Sequence, residues 1–414
     1  MTLGTEALMI AISVAVLMSY WFSHLGRVLR FPSVVFLLLA GLVLRQVTDA
    51  HDATVLLPPG LLPVLGTIGL ILIVLEGGLD LNLKPGRRKF LLATFSAATL
   101  GVLLTTVALA AALHYGLQLD WPIAALVAVP FAVISSAVAI PSSEVLADED
   151  REYVIYESSW SDIMGVMLFN AVLLAAATGG RGATINFFGG GLAVLVLGAV
   201  IGLAVYWLVG HLEGHVKFLP LIFALILIYA GAKALHLSPL LIVLILGLML
   251  NNPHLFLRFK WLEPLHSKDY RAELDKLKHL TAEATFFVRT FFFLLLGYGT
   301  DMDTLVDRQT WIVAGIIVVA IFVLRLPVVW LLSLGRGTRP LLWGAPRGLI
   351  TVLLFYSLPA GMVPEAFPPG ALILVVLLSC VIMAVGFRVD GARKVPPEQD
   401  DIDRRLDARA APPP

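Results

Sequence analysis

The chain has 414 residues, with 29 basic and 29 acidic side chains, so its formal net charge is zero. Hydrophobic residues make up 59% and charged residues only 14%, and mean hydropathy is +0.91, whereas a soluble domain carries about 25% charged residues. This composition excludes an ordinary soluble enzyme and shows no basic patch for nucleic acid, and the single cysteine, Cys380, excludes an internal disulfide and any cysteine-based metal site.

Apolar stretches long enough to cross a hydrocarbon core of roughly 30 Å recur from residue 6 almost to residue 390. Hydropathy and polar or Pro/Gly interruptions place them near 6–26, 30–46, 60–82, 89–113, 121–146, 153–178, 187–210, 217–235, 237–250, 284–303, 309–334, 339–360 and 370–388. The fold class expected is an all-α membrane protein of about 13 transmembrane helices. An odd number of crossings puts the termini on opposite faces, and Lys and Arg concentrate in cytoplasmic loops. An external N-terminus and a cytoplasmic C-terminus place Arg27, Arg30, Lys84, Arg87, Arg88, Lys89, Arg258, Lys260, Arg271, Arg388 and Arg393 inside, and only Arg45, Arg181, Lys233 and Arg308 outside. The protein is therefore expected as a multi-pass protein of the cell inner (plasma) membrane. Its first span is too long, and lacks the basic leading segment, for a cleaved signal peptide.

In chain order, the third span ends in LEGGLDLN (75–82), whose Glu76 and Asp80 lie toward the cytoplasmic end and are candidates for an ion funnel. The fifth span is interrupted within FAVISSAVAIPSSE (131–144), where Ser135, Ser136, Ala137 and Pro141 follow Pro130. Simple proline kinking is common in membrane helices, but a broken helix with polar residues also frees backbone groups that an ion can satisfy.

The sixth span carries the densest chemistry. An ionisable side chain at the bilayer centre costs on the order of 2.5–3.5 kcal/mol on insertion scales, and ESSWSD (157–162) places Glu157 and Asp162 within apolar surroundings. Ser158 and Asp162 are four residues apart and share a helical face, with Glu157 and Ser161 on the adjacent stripe. Hard cations take oxygen ligands, and a buried carboxylate supplies both oxygen and charge. Desolvation penalises the empty, charged carboxylate, so Asp162, with Ser161 and Ser158, is expected to hold either a proton or a monovalent cation. Glu157 needs a partner, and the basic residues inside spans are Arg289, Arg325 and Arg347. Arg325 lies furthest from any loop and is the first choice, Arg347 the second; Arg289 is close enough to the cytoplasmic face to snorkel.

The 251–283 connection reads as a cytoplasmic loop containing an amphipathic helix. The tenth span ends in GYGTDMD (297–303); Asp301 and Asp303 serve equally as funnel residues or solvated helix ends. The twelfth span is broken within LLWGAPRGLIT (341–351) by Gly344, Pro346 and Gly348. Residues 391–414 are charged and proline-rich, and are expected as a short disordered cytoplasmic tail.

LEGGLDLN and GYGTDMD superpose at an offset of 221, pairing Gly78 with Gly299 and Asp80 with Asp301. The spans on either side correspond as well, giving inverted-topology six-helix repeats at about 6–178 and 217–388 within a membrane domain of 1–390. Two discontinuous helices at matching positions in such repeats mark a midplane binding site.

These motifs together resemble the monovalent cation:proton antiporter superfamily, in its sodium/proton exchanger branch. LEGGLDLN resembles the third-helix signature, ESSWSD the glutamate-x-x-x-asparagine-aspartate motif with Asp162 at the cation-binding aspartate, and LRLP (Arg325) and APRGLITVLL (Arg347) the two arginine motifs. The resemblance implies a core domain sliding against a dimerisation domain, a homodimer, and pairing of Arg325 with Glu157, to which Arg347 contributes. Two positions depart from the pattern. Ser136, Ala137 and Val138 stand where threonine-aspartate-proline is usual, and Ser161 replaces the asparagine.

The function expected is secondary active exchange of a monovalent cation, sodium first and potassium or lithium next, for protons. With only Asp162 titrating at the crossing it is expected to be electroneutral. No cofactor is implied, and the partners are the cation, the proton and the lipid bilayer. The alternatives are a channel or ion-coupled solute transporter on the same scaffold, or a transport-inactive sensor.

Overall fold

The computed structural model describes residues 5–29, 31–50, 61–81, 83, 87–178, 196–208, 218–234, 239–255, 270–335, 338–359, 362, 364 and 367–390. The start of the expected seventh span, much of the 251–283 connection and the 391–414 tail lie outside these residues. Every regular element among the described residues is a helix. In chain order they are α1 (Thr5–Leu29), α2 (Ser33–Ala50), α3 (Leu61–Asp80), α4 (Arg88–Leu117), α5 (Trp121–Ala132), α6 (Ser136–Ser142) and α7 (Asp148–Thr178). There follow α8 (Val196–Leu208), α9 (Phe218–Ala234), α10 (Pro239–Asn251), α11 (Tyr270–Tyr298), α12 (Met302–Val306), α13 (Arg308–Leu332), α14 (Thr338–Trp343), α15 (Leu349–Tyr356) and α16 (Gly370–Asp390). By length and composition, seven described spans can cross a membrane, with shorter apolar helices beside them. The chain is an all-helical, multi-pass membrane protein.

One boundary differs from its sequence reading. From Tyr270 onward the connection expected as a loop is already α11, and it runs unbroken into the expected tenth span. Its charged residues conceal a stripe of Tyr270, Leu274, Leu277 and Thr281, spaced three or four apart and all buried. The Tyr270 hydroxyl donates to the Leu250 carbonyl at 2.7 Å, which anchors the start of α11 to the end of α10.

The helices pack as two groups. In the first, α11 lies along α2 and α3, α3 lies along α10, and α1 and α9 flank them. In the second, α4 packs on α5, α7 and α13, while α13 packs on α14 and α16. α3 reaches across to α7 and α15.

Two close helix contacts in the first group are built alike. A Cβ on Gly41 would lie 2.2 Å from the Leu294 carbonyl oxygen, and one on Gly297 2.3 Å from that of Leu38. A Cβ on Gly78 would lie 2.9 Å from the Leu244 carbonyl oxygen, and one on Gly247 2.8 Å from that of Leu75. Each time the intruded carbonyl sits three residues before the partner glycine. The α2–α11 contact thus matches the α10–α3 contact, with Gly297 in α11 placed as Gly78 is in α3. The two aspartates of the shared Gly-x-Asp pattern stand differently: Asp80 ends α3, whereas Asp301 lies beyond α11 and caps α12.

Both broken helices belong to the second group. Between α5 and α6 the backbone is extended at Val133 and Ser135, and the amides there bond to groups beyond their own helices. Ile134 N–H donates to Ser161 Oγ at 2.9 Å, Ser135 N–H to the Pro346 carbonyl at 3.0 Å, and Ser136 N–H to Asp162 Oδ2 at 3.4 Å. Between α14 and α15 the Arg347 N–H donates to Ser379 Oγ at 2.9 Å, and the Arg347 carbonyl accepts from Cys380 Sγ at 3.4 Å. The Ser135–Pro346 bond joins the two breaks directly. Gly348 permits this approach: a Cβ there would lie 2.7 Å from Ser135 Oγ and 2.8 Å from Val138 Cγ2.

Candidate functional site

Asp162 sits in the middle of α7, 6% exposed, facing the break between α5 and α6. Ser136 donates to its Oδ2 through both the backbone N–H and the hydroxyl. Asp162 Oδ1 is buried and has no hydrogen-bond partner among the described residues. The carboxylate lies in a tight cleft of about 10 Å³ lined on α3 by Ile73, Val74 and Gly77 and on α10 by Leu240 and Leu244. The site therefore lies where the two helix groups meet.

The neighbouring serines divide the work differently from their sequence reading. Ser161 turns its hydroxyl to the Ile134 amide and so holds the break in place. Ser158 donates to the Ile155 carbonyl of its own helix at 3.2 Å. Ser159, not singled out from sequence, lines the cleft with Asp162. Spacings of three and four both share a helical face, so Ser159 and Ser158 were equally eligible, and only the rotation of α7 separates them.

Glu157 lies 1% exposed beside Arg325 at 6%. The guanidinium makes a two-pronged contact, Nη1 to Oε1 at 2.9 Å and Nη2 to Oε2 at 2.7 Å. Its Nε also donates to the Leu341 carbonyl at 3.0 Å. The pair thus ties α7 and α13 to the last turn of α14, just before the second break. With its other donors on the Leu341 carbonyl, the pair leaves neither buried charge uncompensated.

Arg347, expected as a further member of that pair, bonds elsewhere. Its Nε donates to the Phe131 carbonyl at 2.6 Å, Nη2 to Ala132 at 3.3 Å and Nη1 to Ala345 at 3.0 Å. Phe131 and Ala132 end α5, where the helix leaves carbonyls without amide partners, and one guanidinium meets that need while spanning both breaks. The break itself, invisible to a search for opposite charges, supplies the partners.

Arg289 also departs from expectation. Instead of snorkelling to a membrane face, its Nη1 donates to the Ala137 carbonyl at 3.0 Å. Pro141 has no N–H to offer the carbonyl four residues before it, so Ala137 needs a donor from outside α6. Glu76 of α3 lies within electrostatic reach of Arg289 and beside Thr285. Glu76 and Asp80 line a cavity of about 180 Å³ with Lys278, His279 and Thr281 of α11. Asp301 lies away from that cavity: it is exposed, and its carboxylate accepts the Asp303 N–H at 3.2 Å as the cap of α12.

Two interrupted helices crossing beside a buried aspartate, at the junction of two helix groups, define a class of membrane transporter in which broken helices frame a midplane site. The chain belongs to the sodium/hydrogen exchanger family: the model of the transmembrane sodium/hydrogen exchanger matches residues 12–389. It is a transporter of that family and not an enzyme. Two solved structures of the sodium proton antiporter MjNhaP1 from Methanocaldococcus jannaschii share the fold. One, at pH 8, is 20% identical with a TM-score of 0.68, covering 91% of this chain and 99% of that one. The other, an electron-microscopy structure, is 18% identical with a TM-score of 0.68, covering 95% and 100%.

Proposed function

We propose that the protein exchanges one monovalent cation, sodium first, for one proton, with Asp162 holding each in turn. The observation that carries this reading is the unequal environment of the two carboxylate oxygens. Oδ2 is anchored by Ser136, while Oδ1 is buried without a hydrogen-bond partner among the described residues, in a residue that lines the cleft. A bare buried carboxylate is costly, and either a proton or a monovalent cation relieves that cost. The site then crosses the membrane neutral in both loaded forms and unfavourably when empty.

No second carboxylate is available at position 137, so each cycle leaves the net charge at the crossing unchanged and the exchange is electroneutral. The Glu157–Arg325 clamp and Arg347 hold the breaks together without carrying protons, since arginine keeps its charge at physiological pH. Glu76 and Asp80 draw cations into the cavity beside α11. The distribution of Lys and Arg supports an external N-terminus and a cytoplasmic C-terminus, and the family resemblance supports a homodimer with inverted repeats at about 6–178 and 217–388.

The test is dissipation of an imposed proton gradient in proteoliposomes on adding sodium, potassium or lithium. Proton movement driven by one of these cations, without charge movement on a solid-supported membrane and lost in Asp162→Asn, is expected. No response to any of the three, or a response retained in Asp162→Asn, overturns the reading.

A further inference from the structure

Arg289 is a charged side chain within a span that the exchange mechanism leaves without a role, and its position is specific. It stands on α11, seven residues from Ala282 and therefore on the same helical face as that lining residue of the 180 Å³ cavity. Its guanidinium reaches the first turn of α6, next to Ser136, the residue that anchors Asp162. α11 packs with α2 and α3 in the first helix group, whereas α6 packs on α7 in the second. The Arg289–Ala137 bond is therefore a tie between the groups whose junction contains Asp162.

We propose that Arg289 is a positioning residue that latches α11 to the first broken helix and closes the path from the Glu76–Asp80 cavity to Asp162. Its present acceptor is the Ala137 carbonyl in the second group, and the Glu76 carboxylate of the first group lies within electrostatic reach. Moving the guanidinium from the carbonyl to the carboxylate unties the groups while keeping the charge partnered. Pro141 is as much a part of the device as Arg289, because any other residue there could satisfy the carbonyl within α6. The inference deepens the proposed exchange by naming what restrains access to the site, but its test does not require transport.

The test reads access to the cleft. Gly77 lines it, and a Cβ at that position meets nothing within 4 Å, so Gly77→Cys in a Cys380→Ser background reports opening through its reaction rate with a membrane-impermeant maleimide. Arg289→Gln is expected to raise that rate about tenfold, the effect on a two-state equilibrium of losing one charge-assisted hydrogen bond. Pro141→Ala, which leaves Arg289 in place and supplies the missing N–H, is expected to raise it similarly. The double variant should react no faster than either single one, because both remove the same bond. Rates equal to the parent in both single variants, or effects that multiply in the double variant, would overturn the latch. Should Arg289→Gln fail to fold, Pro141→Ala and Arg289→Lys, which retains a donor and a slow rate, decide the question alone. A protein that fails to exchange ions yet shows this coupling would sink the transport reading and leave the latch standing.

Discussion

Ser136 gives both its backbone N–H and its hydroxyl to one oxygen of Asp162, while the other oxygen of that carboxylate has no hydrogen-bond partner among the described residues. The amide contact exists only because the chain is extended before α6, and the extension persists because Ser161 and Pro346 take up the neighbouring amides. Three features of the break thus converge on one carboxylate.

Ser136→Ala removes the hydroxyl donor and keeps the amide. A hydrogen bond to a charged group contributes about 1.5–3 kcal/mol, so apparent sodium affinity should fall on the order of tenfold or more while the protein remains folded. Transport measured against sodium concentration checks this: a raised half-saturation with little change at saturation is expected.

The Glu157–Arg325 clamp makes a prediction about rescue. Breaking a buried pair by removing one partner costs roughly 3–5 kcal/mol, so Glu157→Gln and Arg325→Met should each lower detergent-solubilised thermal stability sharply. Exchanging the two residues restores opposite charges but not the donor to the Leu341 carbonyl. The swapped protein should recover only part of the lost stability. Full recovery would show that the Leu341 contact is dispensable.

Gly348→Ala introduces a methyl 2.7 Å from Ser135 Oγ at the crossing. Gly348 has extended backbone, φ −168°, so the effect comes from crowding alone. Overpacking of this kind costs about 1–3 kcal/mol, and Ser135→Gly on the same chain should return part of it. Melting temperatures of the single and double variants test this.

Much of the fold is legible in the sequence for a simple reason: the cost of charges and backbone breaks in lipid makes Glu157, Asp162, Arg325 and the interruptions around Pro141 and Pro346 conspicuous against an apolar background. What lies between elements is less legible. Arg289 and Arg347 both bond to backbone carbonyls that become free only where a helix ends or a proline follows, and no charge pattern announces such partners. Helix rotation is equally hidden, as with Ser159 and Ser158, and the charged face of α11 hides the buried stripe that makes it a helix from Tyr270.

A shared motif need not occupy equivalent places. Asp80 and Asp301 follow a glycine at the same spacing, yet one terminates a long helix and the other caps a helix of five residues. The close helix contacts, set by backbone approach, instead treat Gly78 and Gly297 alike.

The most direct test of the central claim is calorimetric titration of sodium into the purified protein in buffers of different ionisation enthalpy, which counts the protons released as the cation binds. Competition for Asp162 predicts about half a proton released per cation at the midpoint of its protonation and a release rising toward one as pH falls below it, with apparent affinity that weakens as pH falls, and loss of both cation binding and proton release in Asp162→Asn. Sodium binding with no accompanying proton release, or binding that survives in Asp162→Asn, would contradict the account.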